Sequence, residues 1–290
     1  MRHEIRYGKA EISVYRSHAT PLEGVARIPE SDFTGRSNLL FGALVTVDVY
    51  GDNFLPAYTE GDNRQVVATD TMKNFVYAMA LEYGGATLEG FAAFLARRFL
   101  ETYPQMERLA VHCRELAYRP LSDKLLAAAP GDYATADVEA DRAGVRALES
   151  GRRDLRLIKL TGSAFADFAR DDYTTLPERQ DRPLHIYLDV FWTYSDPAVG
   201  ASGEATGYVP AEQVRDLIAH TFDGFVSMSI QHLLNEMGGR LLDRFPQLAG
   251  VRFEAQNRLW DTSAEAAAGP ARVFSDPKPA HGSIGLTLRR

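Results

Sequence analysis

Three stretches of this chain combine residue types that chemistry requires. The first is Tyr7-Gly8-Lys9, where the apolar alternation of a strand slips phase. A lysine there is either a solvated side chain beside a bulge or one turned into a cleft, where burial lowers its pKa and lets it act as a base. The second runs from Val66 to Asn74, a short apolar run that ends in Thr69, Asp70 and Thr71 before a helical pattern. Capping a helix needs only one of those groups. Free N–H groups at a helix start also bind anions, and the surplus hydroxyls suit proton relay. The third extends from Phe165 through Arg170-Asp171-Asp172-Tyr173-Thr174-Thr175-Leu176 to Asp181-Arg182. By composition it is a polar connection. Yet Arg182 stands just before a strand, well placed for a bidentate clamp on a planar anion, and Phe165 offers a stacking face.

Other catalytic signatures are missing. There is no Gly-x-Ser-x-Gly elbow, no Walker loop and no Gly-x-Gly-x-x-Gly after a strand. The seven histidines never fall into a ligand spacing, so no metal site is expected. The lone Cys113 excludes an intramolecular disulfide framework and reads as a packing residue within a strand. Acidic residues outnumber basic ones, 39 to 32, for a net charge of −7, which argues against nucleic acid or an anionic membrane as partner. No apolar run reaches the roughly 18 residues that span a bilayer. Met1-Arg2-His3-Glu4 leads straight into strand-like alternation with no signal segment, and Leu288-Arg289-Arg290 is not a peroxisomal address. The expected setting is cytoplasmic.

The elements that must position these residues follow from periodicity. Strands are expected over His3–Arg16, Leu40–Tyr50, Leu109–Ala117, Arg152–Leu160, Leu184–Tyr194 and Gly250–Trp260, with Ile284–Leu288 closing the sheet. Ala129–Asp141, small and acidic, gives only a weak signal. Helix pairs are expected from Asp70 or Thr71 to Leu81 and from Thr87 to Phe99, then from Pro210 to Asp223 and from Val226 to Phe245. The small-residue loop Gly200–Gly207 reads as turns. One internal echo organises the whole. Residues 98–106 (RFLETYPQM) line up without gaps on 240–248 (RLLDRFPQL), about half the chain away. Each segment is a helix ending at an aromatic-Pro-Gln turn that feeds a strand. The chain therefore reads as strand–strand–helix–helix–strand–strand used twice, over 1–148 and 149–290. That is an α+β fold with paired helices on one face of an antiparallel sheet. Such a sheet commonly joins others, so an oligomer is expected.

In the same order along almost the whole chain, the stretches quoted above, Ala68-Thr69-Asp70-Thr71-Met72-Lys73-Asn74, Ser229-Ile230-Gln231 and Asn257 resemble urate oxidase. The resemblance implies two tandem T-fold units in a homotetramer around a tunnel, with active sites at subunit interfaces. It implies oxidation of urate by O2 and water to 5-hydroxyisourate and hydrogen peroxide, with no metal and no organic cofactor. Carried across, Arg182 and Gln231 grip the purine, Phe165 stacks under it and the Ile230 backbone N–H adds a hydrogen bond. Thr69 and Asp70 arrive from the neighbouring subunit, Lys9 and Thr69 relay protons, and Asn257 holds dioxygen or the water that replaces it. One departure stands out: the family's histidine two residues after the asparagine is Leu259 here, with Arg258 between. A purine-binding T-fold protein that kept Arg182 and Gln231 but lost the relay is the alternative. A pterin-processing T-fold enzyme, which would use a metal held by Cys and His, fits the scattered histidines poorly.

Overall fold

The computed structural model describes residues 3–258 and 260–290. In chain order the first half comprises β1 (Arg6–Ser17), β2 (Leu40–Tyr50), a 3-10 turn at Asp52–Phe54, a short α1 (Leu55–Thr59), α2 (Thr69–Glu82) and α3 (Leu88–Thr102). It continues with β3 (Arg108–Glu115), a small ribbon of β4 (Tyr118–Pro120) and β5 (Leu126–Ala128), and β6 (Tyr133–Asp141). The second half comprises β7 (Gly144–Lys159), β8 (Leu184–Tyr194), a short α4 (Pro197–Ala201), α5 (Ala211–Gly224), α6 (Ile230–Arg244) and β9 (Leu248–Arg258). A ribbon of β10 (Thr262–Glu265) and β11 (Arg272–Phe274) follows, then β12 (Gly282–Arg289).

Eight strands form one antiparallel sheet in the order β1-β2-β3-β6-β7-β8-β9-β12. Its two four-strand halves have the same internal order, and α2, α3, α5 and α6 cover one face. Val45, Val47 and Val49 of β2 and Ile186, Leu188, Val190 and Trp192 of β8 are buried against those helices. From the helices Phe91, Leu95 and Phe99, then Leu233, Leu234, Met237 and Leu241, close the same core at helical spacing. This α+β architecture is the T-fold arrangement that the resemblance implies.

The phase slip in β1 is a bulge, and it explains why one strand carries two alternations. Tyr7 and Lys9 oppose Val49 and Val47, whereas Ile12 opposes Val45. Ala10 and Glu11 together stand opposite Thr46 alone, one extra residue, so odd positions before the bulge and even positions after it all face the helices. Glu11 takes up the distortion at φ 57°. The slip lies just beyond Lys9 rather than at Gly8-Lys9. Gly8 instead permits a close approach of two strands, since a Cβ there would sit 1.8 Å from the Val47 carbonyl oxygen. The second half repeats the device, with a register shift between Arg152 and Leu155 and Asp154 at φ 60°.

Local chemistry moved other boundaries. The residues of weak signal include a full strand, β6, because Ala136, Val138 and Ala140 alternate inward. Helix α2 begins at Thr69 with Ala68 at its N-cap and no side-chain cap, so Asp70 is free to bond Lys73 and Asn74 instead. The last helix starts at Ile230 rather than Val226, because the Ser229 hydroxyl accepts from the His232 N–H and fixes the start there.

Candidate active site

The third stretch builds a cleft. Phe165 and Arg179 exchange backbone hydrogen bonds of 2.7 and 2.9 Å, and the Arg182 N–H donates to the Ser163 carbonyl at 2.8 Å. The connection is thereby folded back so that Phe165 and Arg182 face one space. The Arg182 guanidinium carbon lies 5.3 Å from the Phe165 ring centroid, and Phe168 stacks on that ring at 4.9 Å and 13°. Asn257, near the end of β9, completes the wall of a cavity of about 560 Å³, of the size that takes a small planar ligand. Arg182 Nε is buried with no partner, and no carboxylate pairs with this guanidinium among the described residues. Burial pulls its pKa below the ordinary arginine value. A desolvated cation without a counter-ion is costly unless an anion arrives to pair with it.

The start of α6 is tied to this cleft through backbone. The Ala164 N–H donates to the Ser227 carbonyl at 2.7 Å, and Ser163 bridges to Ser227. Two residues on, Ser229 caps α6, with Ile230 buried at the first helical position and Gln231 exposed at the second. The His232 N–H is taken by the Ser229 cap, which leaves the N–H groups of Ile230 and Gln231, without partners within the helix, as donors for a ligand.

Lys9, Thr69 and Asp70 form a separate group on the first half. The Val67 N–H donates to the Tyr7 hydroxyl at 3.2 Å, which anchors the approach to α2 against β1. Asp70 accepts from Lys73 at 2.5 Å, and this bond with the lysine charge holds its carboxyl below the usual range. None of the three lines the cleft of Phe165, Arg182 and Asn257 within one chain. The family's relay position, Leu259, lies outside the described residues. Leu176, Arg179, Arg258, Trp260 and Phe274 also line the cleft and were not singled out by spacing. For Leu176 and Arg179 the signal was present, since both lie in the polar connection. Trp260 and Phe274 stack at 4.1 Å across the β10–β11 ribbon, which no periodicity announced.

The internal repeat supplies a one-to-one counterpart of this site inside the chain. Leu22 and Arg36 bridge as Phe165 and Arg179 do, and the matched hairpins place Leu39 where Arg182 stands. Leu88 and Glu89 open α3 as Ile230 and Gln231 open α6. Glu115 opposes Ala43 as Asn257 opposes Ile186. Arg152 precedes its bulge as Lys9 does, and Ala211 and Glu212 begin α5 as Thr69 and Asp70 begin α2. These counterparts meet. Arg152 pairs with Glu115 at 3.1 Å, and Arg36 pairs with Glu212 at 2.9 Å and with Glu115 at 3.4 Å.

Fold and cleft together define a T-fold protein with a clamp suited to a planar anion. Comparison with known proteins narrows this. The family model described as Uricase matches residues 5–140 and 148–284. The chain is 44% identical to the uricase of Haloferax volcanii, over 99% of this chain and 98% of that one. Its structure superposes on the urate oxidase of Bacillus sp. TB-90 with a TM-score of 0.94 at 38% identity, covering 99% of both chains. On the uricase of Bacillus fastidious the TM-score is 0.95 at 39% identity, covering 100% of this chain and 94% of that one. The chain belongs to the uricase family.

Proposed function

We propose that this chain oxidises urate with O2 and water to 5-hydroxyisourate and hydrogen peroxide, in a site completed by a second copy of itself. The observation that carries the reading is Arg182, a half-buried guanidinium whose buried Nε has no partner and which has no counter-ion among the described residues, set over the Phe165 ring in a cleft of about 560 Å³. Arg182 and Gln231 grip the two edges of the ring, Phe165 stacks beneath it, and the N–H groups opening α6 reach its oxygens. Lys9 and Thr69 take up the proton whose removal makes the ring electron-rich enough to pass an electron to dioxygen. Asn257 holds dioxygen, and then water, above the ring. The protein's work is deprotonation, clamping and control of water, with no cofactor called for.

The internal counterpart supports completion by a second copy. In the chain, Arg152 and Glu212 of the second half close on Glu115 and Arg36 of the first. The same contact made between chains sets Lys9, Thr69 and Asp70 of one copy against Arg182, Gln231 and Asn257 of another. β1 and β12 are the sheet's edges and are free to pair with further copies, as a homotetramer around a tunnel requires. We take the repeat units as 1–148 and 149–290. No helix among the described residues is long and apolar enough to cross a membrane, and a cytoplasmic setting accords with the lone buried cysteine.

The alternative, a purine binder without turnover, is not favoured by full-length relatives named for urate oxidation. The test follows urate absorbance in air-saturated buffer with a chelator present. Loss of urate with equimolar peroxide is expected. Binding without loss, or dependence on added metal, would refute the reading.

A further inference from the structure

Arg179 lines the cleft, is exposed, and has no carboxylate partner among the described residues. Nothing within one chain explains why a cation stands there. Its counterpart in the repeat does. Arg36 occupies the same position on a loop of the same length, bridged to Leu22 as Arg179 is to Phe165. Arg36 reaches across to the second residue of α5, Glu212, at 2.9 Å. The residue that matches Glu212 is Asp70, the second residue of α2. Asp70 is exposed, and in the chain only its own helix neighbours Lys73 and Asn74 bond it.

We propose that Arg179 forms an ion pair with Asp70 of a second copy and is thereby a positioning residue for the relay. This rests on the functional reading above and deepens it. The pair would fix the start of the neighbouring α2 and hold Thr69 at the cleft that Arg182 and Phe165 build. The charges suit that role, because Asp70 keeps its carboxylate ionised well below neutral pH. A guanidinium forms such a pair more specifically than lysine would. The internal pair also supplies a control: Arg36 and Glu212 lie within one chain and cannot be exchanged by mixing.

The experiment is reciprocal charge reversal tested in mixtures. Arg179→Glu alone sets two carboxylates against each other at every site, and Asp70→Arg alone sets two guanidinia. Each is expected to raise KM for urate by at least about tenfold, since like charges brought together across an interface cost heavily. Co-expressing the two variants makes mixed assemblies. There, one site joins the introduced glutamate of the first variant to the introduced arginine of the second, and the other site keeps the native pair. KM in the mixture should return to within about threefold of wild type. A structural defect in either variant would give the average of the two instead, with no rescue. The inference is overturned if Arg179→Glu matches wild type, or if the mixture is no better than that average. If wild type neither binds nor oxidises urate, the functional reading itself fails. The ion pair is then read from the concentration at which assemblies dissociate, lower in the mixture than in either variant alone.

Discussion

Glu89→Gln is expected to stabilise the protein above neutral pH and to leave it unchanged below pH 4.5. The Glu89 carboxyl is 2% exposed in the interior between the two halves, and its Oε2 has no partner. Burial raises its pKa from 4.5 to about 7, against the opposing pull of the Ser150 and Tyr208 hydroxyls and the Arg36 charge. The folded chain therefore holds this proton more tightly than the unfolded chain does. Its stabilising contribution is complete below pH 4.5, declines as pH rises, and is gone above the folded value near 7. At about 1.4 kcal/mol per pKa unit the loss is roughly 3 kcal/mol. Glutamine keeps the shape and stays neutral, so it escapes the loss, while Arg36 retains Glu115 and Glu212 as partners. Urea unfolding of both proteins at pH 5, 7 and 8.5 should give curves that nearly coincide at pH 5. They should diverge by about 2–3 kcal/mol at pH 8.5, with the variant more stable. A difference independent of pH, or a variant less stable at pH 8.5, would refute the reasoning.

Replacing Arg182 with glutamine should weaken urate binding by a factor on the order of 100 or more, because the half-buried charged partner proposed for the anion is lost. Tm of the ligand-free protein should hold or rise, since an unpaired desolvated cation is removed; a falling Tm with unchanged KM would count against the clamp. Lys9→Met should cut kcat by a factor on the order of 100 or more, with smaller change in KM, as loss of a general base does; wild-type turnover would dismiss Lys9 as part of the relay. Gly8→Ala places a Cβ 1.8 Å from the Val47 carbonyl oxygen and should displace the β1 bulge, costing activity even where the chain still folds. Raising salt should leave urate affinity unchanged or slightly improved, because the chain's charge of −7 repels an anion and only local groups attract it. A steep loss of affinity with salt would contradict this.

Much of this was legible in the residues. The aromatic-Pro-Gln echo announced the repeat because a proline just past a helix and an aromatic anchor before it leave a fixed trace in sequence. The slip in β1 was visible because alternation has a strict period of two, so one displaced residue shows. The candidate site residues came through the family's motifs; composition favoured a plain polar connection for 165–182. What stayed hidden was set by distance in space. The ribbon of β10 and β11 is too short for periodicity, and the stack of Trp260 on Phe274 joins residues that no window connects. Glu115 and Glu89 carry no local signal at all, and their meaning appears only when the two halves are superposed.

That superposition also gives the proposed reading a physical reason why one contact between units would bind a ligand and the other would not. The internal counterpart has acids at Glu89, Glu115 and Glu212, and it spends Arg36 and Arg152 on neutralising Glu115 and Glu212. Leu22 and Leu39 replace the stacking ring and the clamp. An anion entering there would meet occupied cations and three acids. At the outer site the positions of Glu89 and Glu115 are held by Gln231 and Asn257, neutral amides that donate or accept without consuming charge. Arg182 is then left unpaired over Phe165, and the lysine that corresponds to Arg152 is free to act as a base instead of bridging a carboxylate. On the proposed reading, the chemistry turns on two acid-to-amide differences and two leucine replacements between the matching halves. The proposed site therefore lies between chains, since among the described residues the matching contact within one chain is closed by its own ions.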